Sequence, residues 1–235
     1  MADPKDGEVE SATSAKGEVD KAVNDSRDRP AMYVMRHGKT ALDLLKRSDG
    51  WLDFPLTDEG RRGLLPAQRY LKDLPVPVSD IFASSLRRTM ETAHIIRSGM
   101  GKNAPEIEDH EDLHPWNLGK ELVGAKKKEA RPIVKFFMTH PDQVPEGGES
   151  MNAFRKRFIS WLECEMKDTH DGPFLFVLSG SNIREISMHI AGDRDIFDID
   201  EGGLIAFKPV GGMWAGTIIF GGKNGKDEDP AGYGS

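Results

Sequence analysis

A continuous apolar run, Ala31-Met32-Tyr33-Val34-Met35, passes directly into Arg36-His37-Gly38-Lys39-Thr40. It reads as a short strand that ends in a polar loop, and open α/β sheets build their sites at the carboxyl ends of such strands. The same grammar recurs further on. Ile81-Phe82-Ala83 runs into Ser84-Ser85 and a helical pattern with Leu86, Met90 and Ala93, and Phe174-Leu175-Phe176-Val177-Leu178 runs into Ser179-Gly180-Ser181-Asn182 and a helix carrying Ile183, Ile186 and Ile190. Strands alternating with amphipathic helices predict an α/β fold, here a three-layer α/β/α sandwich around a largely parallel central sheet. Leu204–Phe207 and Thr217–Phe220 flank a Gly-rich turn and are expected to pair as a hairpin.

Helix signals refine this outline. Thr57 is placed to cap a helix with Asp58 and Glu59 in its first turn, and Leu64, Ala67, Leu71 and Leu74 on its core face. Pro66 interrupts that pattern and predicts a kink or break. Met151, Phe154, Phe158, Trp161, Leu162 and Glu165 recur every three or four residues, which gives a helix from about Met151 to Lys167 whose aromatics belong to the core.

Residues 1–30 carry scarcely any large apolar side chain and are expected to form a flexible acidic and polar tail. A second tail is expected over 223–235, leaving one folded domain over 31–222. The net charge of -7 argues against nonspecific nucleic-acid binding. No apolar stretch reaches the roughly 20 residues that span a bilayer, and the acidic N-terminus lacks the apolar segment of a secretory signal. A soluble cytoplasmic protein is the expectation. The single cysteine, Cys164, is expected as a helix-buried thiol.

The polar loops point to anion chemistry. Arg36 offers a planar fork for phosphate oxygens, Gly38 permits close backbone approach, and Thr40 adds a hydroxyl at the start of a helix. Arg87 and Arg88 stand in the first turn of a helix, where a cation opposes the helix dipole unless an anion lies there. His110 and His114 are four apart, but Pro115 disfavours a helix that would pair them on a metal. Lys126-Lys127-Lys128 reads as a solvated face.

In this order and spacing the segments resemble the histidine phosphatase superfamily, also called phosphoglycerate mutase-like, over most of residues 32–207. The match includes Arg36-His37-Gly38 with Thr40, the stretch Gly50-Trp51-Leu52-Asp53-Phe54-Pro55-Leu56-Thr57-Asp58-Glu59-Gly60, Ser84 to Ala93, and Gly147-Gly148-Glu149-Ser150. The resemblance implies a phosphoglycerate mutase-like fold and hydrolysis of a phosphomonoester, with His37 as nucleophile, Arg36 and Arg88 on the phosphoryl oxygens, and no metal or other cofactor. Gly38, Thr40, Glu149, Gly180 and Asn182 are the expected substrate-binding positions. A phosphorylated small molecule or phosphoprotein would be the partner, with neither nucleic acid nor membrane involved.

Three departures bear on activity. The family's second histidine follows the third strand, where this chain reads Ser179-Gly180-Ser181-Asn182, and Gly180 is taken to replace it. Either weak turnover, ligand binding alone or an introduced replacement would account for that. Pro115 stands where a glutamate proton donor is expected, which leaves Glu121, Asp112 and Asp43 as candidates. Asp43 occupies a place where relatives carry asparagine, so its carboxylate is expected to be protonated or turned outward. Phosphoglycerate mutase activity is the less favoured reading, because part of the usual pocket is missing.

Overall fold

The computed structural model describes residues 31–167 and 172–223. Six strands form one sheet: β1 (Met32–Arg36), β2 (Asp80–Ala83), β3 (Ile107–Asp109), β4 (Phe174–Leu178), β5 (Ile199–Val210) and β6 (Met213–Gly222). Their order is β3-β2-β4-β1-β5-β6. The first four in that order are mutually parallel, while β5 runs antiparallel to β1 and β6 antiparallel to β5.

Alternation along the strands produces the layers, because successive side chains leave a strand on opposite faces. Met32 and Val34 of β1, with Phe174 and Phe176 of β4, pack in one core with Phe154, Phe158 and Leu162 of α7 (Met151–Glu165) and Ile183 and Ile186 of α8 (Gly180–Ala191). Tyr33, Met35, Leu175 and Val177 point the other way. They meet Ala67 and Leu71 of α3 (Leu65–Lys72) and Ala93 and Ile96 of α4 (Arg87–Gly99). The sheet therefore has a core on each face, and the expected three-layer sandwich is what forms.

Local signals account for several boundaries. Thr57 caps α2 (Asp58–Gly63) by accepting a hydrogen bond from the Gly60 N–H, and the chain restarts as α3 with Pro66 in its first turn, where a missing N–H costs nothing. Ser150 caps α7 in the same way through the Ala153 N–H. Short helices α1 (Ala41–Leu44) and α5 (Gly119–Leu122), and the longer α6 (Lys127–Thr139), complete the set.

Some expectations need correction. Cys164 does lie on α7, but its side chain is exposed, because the buried stripe of that helix runs through Phe154, Phe158 and Leu162. The lysine run is not wholly solvated: Lys127 opens α6 and reaches back to Asp43. The hairpin of β5 and β6 is far longer than the two apolar cores that announced it. The tails expected over 1–30 and 223–235 lie outside the described residues except for Lys223, which is tied to Asp198 through its N–H and its ammonium. Among the described residues, no helix is long and apolar enough to cross a membrane.

Candidate active site

The parallel register of β1 and β4 places the central residues. Arg36 pairs with Leu178, and the His37 N–H donates to the Leu178 carbonyl at 3.0 Å, so His37 and Ser179 leave adjacent strands as neighbours. They share the parity of Tyr33 and Leu175, which directs them to the α4 side of the sheet. From that side α4 supplies Arg88, 1% exposed, whose Nη2 donates to Ser179 Oγ at 3.3 Å. Gly180 is already the first residue of α8 and lies against Arg36. A Cβ at Gly180 would meet the Arg36 guanidinium carbon at 3.5 Å, an ordinary contact. Of the two neighbours, Ser179, in contact with Arg88, is the one whose side chain lies on the His37 side of the sheet, while Gly180 lies against Arg36.

His37 is 2% exposed, and its Nδ1 lies 2.9 Å from the Gly38 carbonyl. A carbonyl only accepts, so Nδ1 carries the proton and Nε2 keeps its lone pair. Burial first, then the charge of Arg88, lowers the ring's pKa to about 3. The imidazole is thus neutral at physiological pH, the form that can attack. The Gly38 N–H donates to Thr92 Oγ1 on α4 at 3.0 Å, which ties the loop to the arginine-bearing helix.

Both arginines are braced. Arg88 Nη1 and Nη2 donate to the carbonyls of Leu52 and Gly50, each at 2.8 Å. Arg36 Nη1 donates to the Ile199 carbonyl at 2.8 Å, and Nη2 pairs with Glu201 at 2.5 Å. In each guanidinium the Nε–H is buried and has no hydrogen-bond partner among the described residues. A buried donor left without an acceptor carries an uncompensated desolvation cost, which an anion's oxygens would relieve.

Thr40 caps α1 in a reciprocal arrangement with Asp43, and its hydroxyl lies between Asp43 Oδ2 at 2.9 Å and Asp49 Oδ1 at 3.2 Å. Asp43 is neither protonated nor turned outward. Burial pushes its carboxyl up, but His37, the Lys127 ammonium at 3.0 Å and the Thr40 N–H outweigh this and hold it below the usual range. Because the imidazole is neutral near pH 7, Lys127 and Thr40 are what stabilise the carboxylate there. Asp49 goes the other way, raised by burial and then by the charge of Asp43. A ring nitrogen of His37 and carboxylate oxygens of Asp43 and Asp49 lie within 4.8 Å of one another. That spacing suits a metal ion, yet Arg88 and Lys127 already present positive charge to these carboxylates.

Two expected ligand positions serve other purposes. Glu149 accepts from Arg157 Nη2 at 2.6 Å and Nε at 3.0 Å and from the Asn117 N–H at 2.9 Å, so its carboxylate is committed to the protein. Arg157 also holds the carbonyls of Asp112, His114 and Pro115, which fixes the loop at the edge of the pocket. Asn182, fully buried, donates to the Leu113 and His114 carbonyls and supports that loop from beneath. Of the three candidate proton donors only Asp43 stands in the His37 cluster. Glu121 is exposed on α5.

A profile of the histidine phosphatase superfamily (branch 1) matches residues 32–201. The chain belongs to that superfamily. Its members include phosphatases and mutases. The chain is 30% identical over 183 residues to a 2,3-bisphosphoglycerate-dependent phosphoglycerate mutase of Cytophaga hutchinsonii, covering 73% of this chain and 83% of the relative. It is 31% identical over 140 residues to fructose-2,6-bisphosphatase TIGAR B of Danio rerio, covering 57% and 52%. The histidine phosphatase fold is also seen in its likeness to Bacillus stearothermophilus YhfR, with a TM-score of 0.64 at 22% identity over 80% of this chain and 95% of that one.

Sequence reasoning missed four residues of this cluster. Ser179 directly follows β4, and the alternation of that strand continued by one residue puts it on the His37 side. Asp49 immediately precedes the matched stretch from Gly50 to Gly60. Lys127 and Glu201 carry no local signal, because each reaches the site only through a tertiary contact.

Proposed function

We propose that this protein hydrolyses phosphomonoesters through a phosphohistidine on His37, without a metal, and that turnover is slow because Ser179 stands where a second imidazole would serve. The observation that carries this reading is the neutral, buried His37, with Nδ1 held by the Gly38 carbonyl and Arg88 beside it. His37 Nε2 attacks phosphorus as the bond to the leaving oxygen breaks and that oxygen takes a proton from solvent; water then attacks phosphorus, breaking the N–P bond and releasing phosphate and the free ring. Arg88 and Arg36 hold the phosphoryl oxygens through fixed donors, which need no reorganisation as charge develops. The substrate is a phosphorylated small molecule or phosphoprotein, met in the cytoplasm.

A second reading, ligand binding without turnover, is favoured by one observation: Ser179 offers a hydroxyl where an imidazole would otherwise donate to the developing charge. Loss of one preorganised donor costs about a hundred- to a thousandfold in rate. Para-nitrophenyl phosphate and a panel of phosphorylated metabolites, tested on the parent chain, His37→Ala and Ser179→His, separate the two. Hydrolysis is expected in the parent, with an acid-labile phosphoenzyme that is absent in His37→Ala, and about a hundredfold gain or more in Ser179→His. Turnover persisting in His37→Ala removes His37 as the nucleophile. No turnover in the parent and in Ser179→His favours binding alone.

A further inference from the structure

Two carboxylates converge on a single hydroxyl proton in this pocket. Thr40 Oγ1 can donate once, yet it lies within hydrogen-bond distance of both Asp43 and Asp49. Asp43 has two other donors, the Thr40 N–H at 3.1 Å and Lys127 Nζ at 3.0 Å. Asp49 has none of these: among the described residues, the Thr40 hydroxyl is the one hydrogen-bond partner of its carboxylate. Of the pair, Asp49 is the one that would take up a proton.

The need for that proton grows when an anion enters. The charged groups facing Asp49 are Arg88 from α4, Lys127 from α6 and Asp43 from α1, with the neutral His37 ring at the end of β1. Lys127 is paired with Asp43, and Arg36 is paired with Glu201. Among the described residues, Arg88 is then the one guanidinium of the set without a carboxylate in salt-bridge contact, against an ionised Asp49 and an incoming dianion. Two like charges brought together in a partly desolvated site repel strongly, and a proton on Asp49 removes that repulsion. Protonation also changes the carboxyl from acceptor only to donor, able to hydrogen-bond an anion oxygen.

We propose that Asp49 carries the proton of this anion pocket, so that a tetrahedral dianion binds together with one proton on Asp49, whose O–H donates to the anion. Asp49 is thus a positioning residue for the phosphoryl group. The proposal rests on the reading of the pocket as an anion site, though not on turnover. Burial and the neighbouring Asp43 charge already raise the affinity of Asp49 for a proton in the empty pocket, and a bound dianion raises it further.

Sulfate is the suitable probe, because it stays a dianion between pH 5 and 8 and any pH dependence belongs to the protein. Calorimetric titration is expected to show sulfate affinity falling from pH 5 to 8 by up to about tenfold per pH unit, the limit for uptake of one proton. In Asp49→Asn the affinity becomes nearly independent of pH, while His37→Gln retains the dependence. In Asp43→Asn it shifts to lower pH, because the neighbouring charge is gone. Dependence that survives in Asp49→Asn, or vanishes in His37→Gln, places the proton elsewhere and overturns the proposal. Should Asp49→Asn fail to fold, a midpoint unmoved in Asp43→Asn has the same force. A wild-type affinity that does not vary with pH overturns proton uptake alone, whereas no sulfate binding at any pH removes the anion site itself.

Discussion

At the scale of single residues, the site works by dividing labour within each side chain. His37 uses Nδ1 for anchorage and keeps Nε2 for chemistry, and Arg88 uses both Nη atoms for anchorage and keeps Nε. Because burial and Arg88 hold the His37 ring near a pKa of about 3, its Cε1 proton is expected to show no NMR titration between pH 5 and 8 in the free protein. The sign for stability follows from the same shift. An unfolded histidine takes up a proton below about pH 6.5 and the folded one does not, so this contribution is complete above pH 6.5 and is lost as pH falls toward 3. His37→Gln is accordingly expected to flatten the rise of Tm between pH 4 and 6.5, as read by thermal melts. Arg88→Ala strands the Gly50 and Leu52 carbonyls that its guanidinium satisfies. Because these carbonyls are only partly buried, a total loss of about 1–3 kcal/mol is expected in urea unfolding.

At the scale of elements, the loop after β1 is held from two directions, by Thr92 on α4 and by the first turns of α2. The α2 contact leaves no room: a Cβ on Gly60 would lie 2.2 Å from the Lys39 carbonyl oxygen and 2.7 Å from its nitrogen. Gly60→Ala must therefore separate α2 from the His37 loop, and a displacement near 1 Å at reacting groups costs about a hundredfold. Loss of His37-dependent hydrolysis and weaker sulfate affinity are expected, with far-UV circular dichroism unchanged. These elements were largely readable beforehand. Thr57 and Pro66 marked the ends of α2 and α3, and the spacing of Met151, Phe154, Phe158 and Leu162 gave α7. The short β3 and the amphipathic α6 were not read. Three residues are too few for an alternation signal, and α6 carries Pro132 inside its pattern.

At the scale of the whole molecule, the sheet divides the apolar interior into two cores that share only the strands. Phe158 belongs to one and Leu71 to the other, both essentially inaccessible to solvent. Phe158→Ala is expected to cost about 3–5 kcal/mol and Leu71→Ala about 2–5 kcal/mol. Because the sheet separates the two sites, the double variant should be additive within about 0.5 kcal/mol by urea titration. Coupling well above that would mean that strain passes through the sheet. The strand-loop-helix order, the Arg36-His37-Gly38 loop at a strand end and the arginine-bearing helix were all legible along the chain, since each depends on neighbours a few positions apart. Which residues face one another across strands and layers was set by the packing of distant segments. Strand register set Ser179 rather than Gly180 beside His37, and long-range packing brought Lys127 to Asp43, Glu201 to Arg36, and Asp49 to the buried imidazole. Those contacts fix the charge of the pocket, and charge depends on proximity in space, for which a linear pattern has no coordinate.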